Sequence, residues 1–86
     1  MKKVLWIEEL DPMTDDVRWH QVNRRKINEG IRMFNQWQIG GFDDFKKEVL
    51  LARIKSLRTY GETSDFADWQ FDILNEMRSH IQEISN

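Results

Sequence analysis

The side chains best suited to acid–base or metal chemistry are few and poorly spaced for it. His20 and His80 are the two histidines, and neither has a carboxylate or a second histidine at a spacing that repeats a metal-ligand motif. His80 falls on an apolar helical arc and reads as a packing or interface residue. The pairs Glu8-Glu9, Asp15-Asp16 and Asp43-Asp44 are adjacent in sequence, so helix or strand geometry sends the two carboxylates of each pair apart. They read as helix caps and solubilising charge. The absence of cysteine removes disulfides, thiolate metal sites and cysteine nucleophiles together. No phosphate-cradling glycine loop, nucleophile elbow or activated-serine pattern occurs, and a small helical domain has little room for a pocket of ~300 Å³. The expectation is a non-enzymatic protein with no metal and no cofactor.

Aromatic and arginine side chains offer more. The chain holds four tryptophans and five phenylalanines in 86 residues. Such rings bury roughly 150–250 Å² each and fill a small core efficiently, yet tryptophan and arginine are also the types most enriched at binding hot spots. Trp19, Trp37 and Trp69 lie on helical apolar arcs and are expected in the core. Trp6 and Phe71 have no evident place within one chain, which makes them interface candidates.

The elements that must position these residues are mostly helical. A chain of this length is expected to form one domain over residues 1–86, because it cannot bury two cores. Residues 4–7, Val-Leu-Trp-Ile, form a short apolar run of high β-propensity, so residues 3–9 read as a short β-strand or an extended arm. No second strand is evident. Such a strand would pair with its copy, join a partner's sheet or lie against the helices. Residues 4–9, Val-Leu-Trp-Ile-Glu-Glu, resemble the first strand and acidic doublet of receiver domains; the later alternating strands of that fold are missing from this chain.

Helix one is predicted over 15–38, started by Asp11-Pro12 or by Thr14 with its two acids. Trp19, Val22, Ile27, Gly30, Ile31, Met33, Phe34 and Trp37 share its apolar arc, while Arg18, Arg25 and Arg32, with Gln21, Gln36 and Asn28, lie opposite. Asn23 interrupts the apolar arc and needs a partner, in a helix terminus or across an interface, because an unpaired buried amide costs about 1–3 kcal/mol. Gly40-Gly41 ends this helix, and Asp43 or Asp44 caps the second, predicted over 43–60 with Gly61 as its stop. Helix two has two apolar stripes: Phe45, Val49, Ala52, Ser56 and Tyr60 on one side, Leu50, Ile54 and Leu57 about 120° away. It is therefore either the central helix or one that contacts a second chain. Helix three, over 64–84 and capped by Ser64 or Asp65, carries Phe66, Trp69, Ile73, Met77, His80, Ile81 and Ile84 on its apolar arc, with Asp68, Asp72, Glu76 and Glu83 opposite. The fold class is thus mainly α, a three-helix domain with an N-terminal strand or arm, expected to form homo-oligomers.

Charge is unevenly spread. Residues 1–16, 17–60 and 61–86 carry net −3, +6 and −5. Either acidic and basic segments face each other within the fold, or the basic middle meets an anionic partner. No run reaches the ~18 apolar residues a membrane span needs, and the start does not read as a signal peptide. A cytoplasmic protein with no membrane partner is expected.

Together these features lead to a small protein-binding regulator or inhibitor of bacterial or phage type that occludes a protein partner. Its expected interface is Trp6, Leu50, Ile54, Leu57 and Phe71, with Asp68, Asp72 and Glu76 steering the partner. The alternative is a dimeric DNA-binding regulator with an N-terminal β-ribbon and phosphate contacts from Arg18, Arg25 and Arg32. A structural assembly subunit is the third reading.

Overall fold

The computed structural model describes residues 3–85, which form three helices behind a non-helical arm. Helix α1 runs Arg18–Ile39, α2 Asp44–Thr63 and α3 Asp68–Ser85, with a 3-10 turn at Pro12–Thr14. Each helix touches the other two. At 1.5 Å per residue the helices are roughly 33, 30 and 27 Å long, so they lie along the long axis of a body of 42 × 21 × 18 Å.

Each helix sends three residues at helical spacing into one core: Ile27, Ile31 and Phe34 from α1, Leu50, Ile54 and Leu57 from α2, Leu74, Met77 and Ile81 from α3. Trp37 and Phe66 join them. This corrects the expected role of Leu50, Ile54 and Leu57. They are 1, 1 and 3% exposed, because their i, i+4, i+7 stripe is the one that faces both neighbouring helices. The stripe left in solvent is the other one, led by Phe45 and Val49.

Helix ends follow local chemistry. Asp11 accepts from the Met13 N–H and starts the 3-10 turn, while Asp15 Oδ1 accepts from the Val17 N–H at 2.8 Å. Neither expected start signal caps α1, which begins at Arg18 instead of residue 15 with Val17 ahead of it and no side-chain cap; Asp11 with Pro12 opens the 3-10 turn instead, and the Thr14 hydroxyl donates back to the Asp11 carbonyl. Gly40-Gly41 ends α1 as expected, with Gly41 in the left-handed region at φ 95°. Asp43 caps α2 by accepting from the Lys46 N–H at 2.9 Å. Gly61, expected to stop α2, is inside it, and the helix continues to Thr63. A Cβ at Gly61 would lie 2.4 Å from Phe66 Cδ2, so the glycine makes room for a ring. Helix α3 begins at Asp68, later than expected, with the Gln70 side chain accepting from the Ala67 N–H at 2.8 Å, half of a capping box.

The aromatic expectations divide. Trp37 is buried, its Nε1 donating to the Asp43 carbonyl at 2.9 Å. Trp19 and Trp69, expected in the core, are 53% and 39% exposed; Trp19 sits where its Nε1 can donate to the Ser64 carbonyl at 2.9 Å, at the end of α2. Phe71 has a place within the chain after all, half-buried against Phe66 with ring centroids 5.8 Å apart.

Candidate functional site

Among the described residues the N-terminal segment is not a strand. It lies on α1 as an arm held by three side-chain amides. Gln38 Oε1 accepts from the Leu5 N–H at 2.7 Å, and its Nε2 donates to the Leu5 carbonyl at 2.8 Å. Asn35 does the same for Ile7, at 3.3 and 2.8 Å. Asn28 does so for Leu10, at 2.6 and 2.8 Å. Beyond them His80 Nε2 donates to the Lys3 carbonyl at 2.8 Å, reaching the arm from α3.

The spacing explains the fit. Residues 28, 35 and 38 fall within about 80° on one strip of the helix and span roughly 15 Å of its axis. Five residues of extended chain cover about 16.5 Å, so positions 5, 7 and 10 meet the three amides in turn. Leu5, Ile7 and Leu10 turn towards the core, while Val4 and Trp6 are 52% and 55% exposed. Glu9 reaches Arg32 at 2.7 Å, and this hydrogen bond raises the Arg32 pKa.

The arm is held near energetic balance. Six amide–backbone hydrogen bonds at roughly 1 kcal/mol each, with half-burial of its aliphatic side chains at about 1 kcal/mol each, contribute about 9 kcal/mol. Fixing the backbone of residues 5–10 costs about 6–12 kcal/mol.

A second surface lies between α1 and α2. Met33, Gln36, Trp37, Lys46, Val49 and Leu50 line a groove of about 260 Å³. Phe45, one turn before Val49 on α2, is 78% exposed. Continuing along the same two helices, Lys26, Glu29, Arg32 and Arg53 line a second depression together with Met33 and Gln36. Glu29 lies 4.0 Å from both Lys26 and Arg53, which leaves this rim predominantly basic.

A third feature is a cleft of about 310 Å³ where α1 meets the α2–α3 turn, lined by Asp15, His20, Asn23, Arg24, Asp65, Phe66, Ala67, Trp69 and Gln70. Asn23 finds its partner in the end of α2: its Nδ2 donates to the Ser64 carbonyl at 2.9 Å. Its Oδ1 is buried without a hydrogen bond among the described residues. Arg24 lies over the Trp69 ring, 5.1 Å from its centroid. Asp15 Oδ2 is 2.7 Å from His20 Nδ1. The Val17 N–H and then His20 hold the Asp15 carboxyl below its ordinary value of 3.8. Among the described residues no hydroxyl or thiol lines this cleft, so none of them gives the His20–Asp15 pair a side-chain nucleophile to activate there.

The expected interface residues are thus dispersed. Trp6 is exposed on the arm, Asp68, Asp72 and Glu76 are exposed on α3, Phe71 is half-buried, and Leu50, Ile54 and Leu57 are core. Arg18 and Arg25 are exposed, whereas Arg32 is held by Glu9. Sequence reasoning missed Asn28, Asn35 and Gln38, each at most 7% exposed; three carboxamides on one helical strip beside an apolar arc were the available signal. Among the described residues no three histidine, cysteine or acidic side chains converge as a metal group, and no helix is long and apolar enough to cross a membrane. No protein-family model, curated protein or solved structure matches the chain.

Proposed function

We propose that this is a non-enzymatic protein-binding domain, a regulator or inhibitor that works by covering part of a protein partner with its α1–α2 face. The observation that carries the reading is Phe45, at 78% the most exposed of the large apolar side chains among the described residues, beside the groove of Met33, Trp37, Val49 and Leu50. Exposed apolar area next to a concave, apolar lining is the usual make-up of an interface centre. The basic rim of Lys26, Lys46 and Arg53 selects a partner that surrounds its apolar anchor with acidic residues. The acidic row of α3 then acts as a solubilising face.

The test is recovery of a partner from the native host by wild type and by Phe45→Glu/Val49→Glu, after circular dichroism shows both folded. A partner bound by wild type and lost by the double variant supports the reading; one retained by both removes this face from it.

DNA binding by a dimer is the alternative, resting on exposed Arg18 and Arg25. Duplex affinity that falls steeply with salt and drops in Arg18→Ala/Arg25→Ala would favour it over protein binding. In the assembly-subunit reading the partner is a second copy, and sedimentation at several concentrations would give a large fixed species.

A further inference from the structure

We propose that the carboxamide strip of α1 is a receptor for extended main chain, and that a partner's segment with apolar residues at its first, third and sixth positions binds there by displacing the arm. The strip holds Leu5, Ile7 and Leu10 through their backbone N–H and C=O groups. Those groups are common to every non-proline residue, so the main-chain part of the recognition is open to a segment other than the arm. Specificity comes from the three aliphatic side chains facing the core, and from Glu9 at the fifth position opposite Arg32. The outward residues Val4, Trp6 and Glu8 are exposed and contribute little to the fit.

The arm is the bound ligand from which this chemistry is read. The 3-10 turn and residues 15–17 tether it to the start of α1. As a tethered competitor it acts at an effective concentration of order mM, so the free site is masked in the resting chain. The proposal concerns a different face from the α1–α2 groove and does not rest on it.

The test uses the full chain and a fluorescent peptide copying residues 3–11. In Leu5→Asp/Ile7→Asp the arm is weakened while the strip is untouched. This variant should bind the peptide at least 10-fold more tightly than wild type, and adding Asn35→Ala should cut that binding at least 10-fold. Equal binding by wild type and arm variant, or indifference to Asn35→Ala, overturns the proposal.

Should the arm variant fail to fold, hydrogen exchange in wild type decides. The Leu5, Ile7 and Leu10 amides should exchange at least 10-fold faster than those of Ile31 and Phe34. Identical rates mean that the arm leaves only on global unfolding, which overturns it. A wild type that dimerises with concentration and takes no peptide assigns the strip to a second copy's arm and likewise overturns the proposal.

Discussion

The two inter-helix turns are the same device built from different residues. At the end of α1 the Phe42 N–H donates to the Trp37 carbonyl at 3.1 Å; at the end of α2 the Phe66 N–H donates to the Gly61 carbonyl at 3.0 Å. Both are the long-range bond of a Schellman motif. In each the phenylalanine ring meets an aromatic of the last turn edge-on, Trp37 at 5.2 Å and Tyr60 at 5.6 Å. The glycines, however, sit at different points. In the first turn Gly41 takes the left-handed backbone itself, followed by Phe42 at φ 61°. In the second, Asp65 takes that position at φ 56°, and Gly61 lies under the ring. One glycine serves a dihedral and the other serves a volume.

Substitutions separate these roles. The largest effect is expected for Gly61→Ala, whose Cβ would meet Phe66 at 2.4 Å and Phe71 at 3.0 Å. Overpacking of this kind costs about 3 kcal/mol, measurable as a lower urea midpoint with an unchanged slope. Gly41→Ala has nothing within 4 Å of its new Cβ, so its cost is only that of the left-handed backbone, about 1–2 kcal/mol. If the two losses were equal, the distinction between volume and dihedral would fail. The smallest effect has the opposite sign: Asp65→Gly should raise stability by about 0.5–1 kcal/mol, the relief of left-handed strain less the added chain entropy.

The contrast explains what could be read from the residues alone. Gly40-Gly41 was legible because a glycine after an amphipathic run is the commonest end of a helix, a local signal. Gly61 resembled the same signal, but its role depends on Phe66 folding back over it, which no local pattern states. The three-helix order and Asp43 as a cap were legible for the same local reasons. The two stripes of α2 were legible as stripes; which one is core required knowing where α1 and α3 lie. Asn28 looked like part of the exposed arginine face because its wheel position is intermediate, and only the matching rise of helix and arm gives it a purpose. On the site, exposure of Trp6 and of the α3 acids was anticipated, whereas Phe45 and the carboxamide strip emerge only from the packing.

The order in which arm and strip are made has a consequence during synthesis. Ile7 leaves the ribosome 28 residues before Asn35, its amide partner, an interval of about 1.5–6 s at 5–20 residues per second. Through that interval Val-Leu-Trp-Ile is a nascent apolar segment of high β-propensity with no helix to lie on, the kind that pairs with its copies on neighbouring nascent chains. Glu8-Glu9 follow it directly in sequence and act as gatekeepers against that pairing. Among the described residues Glu9 goes on to meet a folded partner in Arg32, while Glu8 stays exposed.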